Sequence, residues 1–196
     1  SQDYEQAVKW YRQAAQQGYA DAQLKLGVMY GEGLGVSQDY EQAVKWYRQA
    51  AQQGYADAQL KLGVMYGEGL GVSQDYEQAV KWYRQAAQQG DANAQFNLGV
   101  MYHEGRGVSQ DYKQAVEWYR QAAQQGYAAA QNNLGVMYGE GQGVSQDYVQ
   151  AHKWFNLAAA RGHSEASQGR DIVEQLMTRD QVAEAQTLAR EWEPER

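Results

Sequence analysis

The chain has 196 residues, a net charge of −7 and no cysteine. Disulfides and thiolate chemistry are therefore excluded, and no part of the chain carries the basic excess that a phosphate backbone requires. No apolar run nears the ~20 residues that span a bilayer, so neither nucleic acid nor membrane insertion is expected.

The sequence is periodic. Residues 1–36 and 37–72 are identical, and 73–108 and 109–144 each differ from them at six positions. A fifth copy from Ser145 keeps Asp147, Tyr148, Trp154, Ala158 and Gly162 and then drifts away. A fixed period of this size marks an array in which each unit buries its apolar face only against its neighbours. The expected fold is all-α, a solenoid of 36-residue helix-turn-helix repeats over residues 1–162 with a capping helix pair over 163–196.

The chain opens on a first-type helix, Ser1–Gln17, with no cap before it. Its outer face is expected to be exposed unless more repeats or a partner cover it, which opens a route to end-to-end self-association. Each later unit follows the pattern of 37–72. Asp39 is the predicted N-cap, and Gln42 three residues on completes a capping-box signal. Tyr40, Ala43, Val44, Tyr47, Ala50 and Ala51 form one stripe at helical period. Gly54 is placed to end the helix in a left-handed conformation. Trp46 stands off the stripe and is expected to pack on the next helix of the array.

The second helix is predicted from Ala56 to Tyr66, with Ala58, Leu62, Met65 and Tyr66 inward. Gly63 costs about 1 kcal/mol of helix propensity against Ala, yet it recurs at 27, 99 and 135. A backbone contact with a neighbouring helix would explain it, since a side chain there would overpack the crossing. Gly67, Gly69 and Gly71 are expected to break the helix, and Val72 to tuck the loop against the core. Near the end of the chain, Ser164–Met177 carries Ala166, Val173, Leu176 and Met177 on one side. Thr178 with Gln181 gives a second capping box, followed by the face Val182, Ala185, Leu188, Ala189 and Trp192 before Pro194. This end reads as a solubilising cap.

Leu62-Gly63-Val-Met-Tyr66, Gly69-Leu-Gly71-Val72, Asp75-Tyr76, Ala79, Trp82-Tyr83, Ala86-Ala87 and Gly90 resemble the Sel-one-like repeat, a 36-residue relative of the tetratricopeptide repeat. The resemblance implies a right-handed α/α superhelix whose second-type helices line a concave side. It also implies an adaptor role, holding other proteins in signalling complexes, at bacterial envelopes, against host factors or as immunity partners of secreted toxins. An envelope, periplasmic or secreted setting follows from the same resemblance. The family's cysteine-rich branch is no guide here. The tail from Leu176 to Trp192 is similar to the closing segment of many bacterial members.

The copies can be compared with one another. On the second helix, Asp57, Leu60, Lys61 and Gly67 become Asn93, Phe96, Asn97 and His103 in the third unit, and Ala129, Asn132, Asn133 and Gly139 in the fourth. The loop position reads Leu70, Arg106 and Gln142. These substitutions fall on the face opposite Ala58, Leu62, Met65 and Tyr66. Two readings stay open. One is drift at solvent positions. The other is a groove for a protein or peptide ligand, drawn from Asp57, Leu60, Lys61, Asn93, Phe96, Asn97, His103, Arg106, Asn132, Asn133 and Gln142. Leu24, Leu60 and Phe96 favour the groove, because they place apolar groups on a face that would otherwise be wet.

Catalytic signals are weak. The Gly-x-Gly-x-Gly loops follow a helix and lack the Lys-Ser/Thr of a phosphate loop, so they read as turns. His103, His152 and His163 stand at unrelated offsets, and zinc is not expected. His152 takes a Val44-type position and reads as a core or boundary residue. No carboxylate is isolated in an apolar setting that would fit it for acid/base work. The aromatic ladder has helical spacing and reads as core. No catalytic residue, metal or cofactor is expected. The function expected is a non-enzymatic scaffold. The alternatives are a structural module that stacks end to end, or a binder of envelope glycan or peptidoglycan fragments. That last reading needs exposed aromatics on the groove, and only Phe96 qualifies there.

Overall fold

The computed structural model describes residues 2–194 and holds eleven helices and no strand among them. Ser1, where the first helix was expected to start, and Glu195 and Arg196 of the expected cap lie outside the described residues. Packing divides the chain into two units, one of residues up to 94 with 106–108, the other of 95–105 with 109 onwards.

The first unit holds α1 (Gln2–Gln16), α2 (Ala20–Glu32), α3 (Tyr40–Gln52), α4 (Ala56–Glu68) and α5 (Tyr76–Gln88). α6 (Ala92–Glu104) starts in its last residues. The predicted caps explain where the first-type helices begin. Asp39 accepts a hydrogen bond from the Gln42 backbone N–H at 3.0 Å. The reciprocal half of the box is not needed, because the Asp39 N–H already donates to the Tyr30 carbonyl at 2.9 Å. Gly54, at φ 92°, ends α3: its N–H reaches the Ala51 carbonyl and that of Tyr55 reaches Ala50, a Schellman arrangement.

The second-type helices run two residues past the expected end. Gly67 is helical, and Gly69 (φ 71°) is the left-handed terminator. The last carbonyls of α4 are then satisfied one by one. Leu70 N–H donates to Met65, Asp75 N–H to Tyr66, and the Gln74 side chain to Gly67. These are the acceptors that a helix C-terminus otherwise leaves to water. Val72 packs back against the core, as expected, and Leu70 packs beside it.

The joint between a second-type helix and the next first-type helix is a ring set into a notch. A Cβ added at Gly63 would lie 2.6 Å from the Tyr83 ring, and one at Gly27 equally close to Tyr47. The glycine therefore makes room for an aromatic side chain, not for a neighbouring backbone. Trp46 packs backwards, with Val8 and Ala15 of α1 and Ala22, Leu26 and Met29 of α2. The expectation that it reaches the next helix is corrected: the face of α3 that carries Trp46 is the face that joins the preceding hairpin. Trp46 is 8% exposed, whereas Trp10, in the same local sequence, is 63% exposed.

One buried element is polar. Gln59 is enclosed, donates to the Ala51 carbonyl at 3.1 Å and accepts from Gln89 at 2.7 Å. Gln23 repeats this with Ala15 and Gln53.

The second unit continues α6 and adds α7 (Tyr112–Gln124), α8 (Ala128–Glu140), α9 (Tyr148–Ala160), α10 (Ala166–Glu174) and α11 (Arg179–Arg190). Gln95 and Gln131 occupy the buried polar position here. Gln95 accepts from Gln125 at 2.8 Å. Gln131 donates to Ala123, but its own oxygen has no partner, since Arg161 stands where Gln125 would recur. His152 is a core residue, as expected, with Nε2 hydrogen-bonded to Glu174 at 3.2 Å.

α10 is shorter than the expected Ser164–Met177 segment and buries only Ala166 and Val173 fully. Leu176 falls beyond its end and is exposed, against expectation, whereas Met177 packs half-buried on the core as expected. α11 packs on α9, and its capping box is complete, Thr178 N–H to Gln181 at 2.9 Å and the reverse at 3.3 Å. Trp192 stacks edge-on against Trp154 at 6.4 Å, with Arg161 over its ring at 4.7 Å. No helix among the described residues is long and apolar enough to cross a membrane.

Candidate functional site

The substituted positions do not share one environment. In the first unit Asp57, Lys61 and Asn93 are exposed and Leu60 is half-buried. The Arg106 guanidinium lies 5.6 Å over the Tyr76 ring. Leu24, read as apolar on a wet face, is buried with Tyr47 and Ala43. The Leu24 column therefore belongs to the packing between helices. In the second unit the same column holds Phe96, half-buried at 5.2 Å from Tyr127 and 5.9 Å from Tyr119, and Asn132, which is buried. Phe96 is thus tied into an aromatic cluster and does not offer a free ring to a sugar. Gln142, in the loop after α8, is half-buried with its amide oxygen enclosed.

His103 and Asn133 do come together. They line a cavity of about 100 Å³ with Tyr119, Val136 and Met137, between α6, α7 and α8. His103 stacks at 5.4 Å on Tyr112. The Tyr119 hydroxyl is pushed up to about 12, chiefly by burial, while a hydrogen bond from Asn133 pulls it down and the Glu104 carboxylate raises it. A neutral phenol, an imidazole and a carboxamide thus face one small chamber. They can exchange hydrogen bonds with a polar group, and they hold no activated nucleophile.

The same place recurs 36 residues on with different chemistry. His103, Tyr119, Asn133, Val136 and Met137 are replaced by Gly139, Phe155, Gly169, Ile172 and Val173, and the chamber grows to about 240 Å³. Phe155 lies between two glycines, at 2.8 Å from a Cβ built on Gly135 and 2.7 Å from one on Gly169. Val136, Tyr148 and Leu176 complete the wall, with Glu140 among the lining groups. Ile172 and Leu176 are 63% and 60% exposed. Sequence reasoning missed this chamber. Its signal was the joint loss of the Tyr, the Asn and the His at positions one repeat apart.

No group of three or more His, Asp or Glu among the described residues is placed to hold a metal ion.

The Sel1 repeat family model matches residues 1–19, 20–55, 56–91, 92–127 and 128–163. The chain is similar to c5321, a protective antigen present in uropathogenic Escherichia coli strains that displays an SLR fold, with a TM-score of 0.87 and 42% identity. That match covers 94% of this chain and 40% of the other, so this chain spans about two-fifths of that protein. It is also similar to a Sel1 repeat protein from Oxalobacter formigenes, with a TM-score of 0.83, 35% identity and coverage of 96% and 77%. The immunity protein Pa5087 of Pseudomonas aeruginosa, at 20% identity and a TM-score of 0.53, shares the fold alone. No match is found among curated proteins. The five matched repeats and the all-helical fold shared with these structures place the chain in the Sel1 repeat family.

Proposed function

We propose that the chain is a non-catalytic scaffold that holds a peptide or partner protein against the face of its second-type helices. Sel1 repeat proteins are known as protein–protein interaction scaffolds. The observation that carries the reading to this face is the cavity at Tyr119. Two of the positions at which the repeats diverge, His103 and Asn133, meet there and present hydrogen-bonding groups of the kind that read a peptide.

The repeats supply their own control. Asn97→Lys, His103→Gly and Asn133→Lys together restore the residues the second unit carries at these positions, Lys61 and Gly67. Selection of a displayed random peptide library on the full chain should enrich binders that the triple variant holds at least about tenfold more weakly. The melting temperature should change little, because α4 folds with Lys61 and Gly67 at the corresponding positions. Equal binding by both proteins would remove this face from the function.

A second reading, self-association through α1, is favoured by one feature. Trp10 is exposed where the equivalent Trp46 is covered by a hairpin. Light scattering over a concentration series should then show growth that Trp10→Ala abolishes. A steady monomer at all concentrations would exclude it.

A further inference from the structure

We infer that the chamber floored by Phe155 anchors a basic peptide segment: one aliphatic or aromatic side chain enters the chamber while a neighbouring Lys or Arg meets Glu140. The inference rests on the reading of the second-helix face as the binding face, and it names the partner's chemistry. Three of the five replacements relative to the preceding repeat remove polar groups. Tyr119→Phe155 removes a hydroxyl, Asn133→Gly169 removes a carboxamide, and His103→Gly139 removes an imidazole. A polar niche of about 100 Å³ has become an apolar one of about 240 Å³. An apolar void of ~150 Å³ already accepts a benzene ring, so the chamber has room for a Leu or Phe side chain. Ile172 and Leu176 line its mouth and are exposed, placed to shield an inserted side chain from water.

Charge selects the rest of the ligand. Lys25 and Lys61 give way to Asn97 and Asn133, which leaves Glu104 and Glu140 as the formally charged residues of α6 and α8. Glu140 itself lines the chamber. An acidic segment would bring like charge to the Glu140 carboxylate, while a basic one is complementary to it.

The test is a positional-scanning library of acetylated hexapeptides added to the full chain, read by methyl NMR. Ile172 is the one isoleucine of the sequence, so its signal needs no assignment by exclusion. Pools with Leu, Ile, Met or Phe at one position and Lys or Arg beside it should shift the Ile172 and Leu176 methyl signals. Two variants locate the effect. Gly139→His introduces the third repeat's residue where a Cβ meets only Val173 and Ala151, at 3.7 and 3.8 Å. Glu140→Lys reverses an exposed charge. Each should weaken the best peptide about tenfold or more, with unchanged melting. Selection of acidic peptides, or binding indifferent to Gly139→His, overturns the assignment. Peptides that survive Gly139→His but are lost in the Asn97, His103 and Asn133 variant leave the binding face standing and sink the Phe155 anchor. A library in which no pool shifts any signal sinks both.

Discussion

Two glycines four residues apart in α4 have opposite reasons to exist. At Gly63 a methyl group would collide with the Tyr83 ring at 2.6 Å, so Gly63→Ala should destabilise by about 1–3 kcal/mol in spite of its better helix propensity. At Gly67 the nearest atom is 3.6 Å away, so Gly67→Ala should instead stabilise by about 1 kcal/mol. Urea melts of the two variants check both signs. The rings in these notches also titrate abnormally. Burial, with Glu32 second, pushes the Tyr47 hydroxyl up to about 12, and burial with Glu68 raises Tyr83 further. A phenol whose folded pKa exceeds its unfolded value of 10 releases its proton first from the unfolded chain. Its contribution is therefore intact below pH 10 and lost as pH rises towards 12. Melting temperature should fall over that window, and Tyr47→Phe should flatten the fall. Phe155 shows that the array accepts the change.

At the scale of the element, helix ends and helix faces were legible to different degrees. Asp39, Gly54 and the Thr178–Gln181 pair follow local rules, and their capping roles could be read directly; Asp39 alone departs, because a long-range bond to Tyr30 replaces half of its box. Thr178→Ala should cost about 1 kcal/mol and loosen Trp192 from Trp154, visible as a change in tryptophan emission. Gln59 was not legible as a buried residue. Hydrophobic periodicity treats glutamine as wet, and only its recurrence at 23, 95 and 131 hinted otherwise. Gln59→Ala removes two interior hydrogen bonds, one to the Ala51 carbonyl and one from Gln89, and should cost about 1–3 kcal/mol by thermal or urea unfolding. The Phe155 chamber was hidden for a further reason. Its walls come from three helices, and the length of α10, which leaves Leu176 outside the helix, does not follow from local signals.

For the molecule as a whole, the period was the legible part, and the direction in which each joint faces was not. Trp46 and Trp10 share their neighbours in sequence for many residues on either side, yet one is core and the other surface. Trp46→Ala should cost about 3–5 kcal/mol, and Trp10→Ala less than about 0.5 kcal/mol; denaturant titration of the two variants separates them. The same letter-for-letter identity has a genetic consequence. Deleting any 36 consecutive residues within the first 72 yields one and the same product, whichever residue the cut begins at. In that product the glycine notch of the remaining second-type helix still faces a Tyr ring of the next first-type helix, whose own preceding Asp still caps it. Unequal recombination across this stretch therefore trims or lengthens the protein by whole hairpins and needs no accurate breakpoint, whereas a loss of 35 residues leaves one residue too many and, within a helix, turns its face by about 100° out of register.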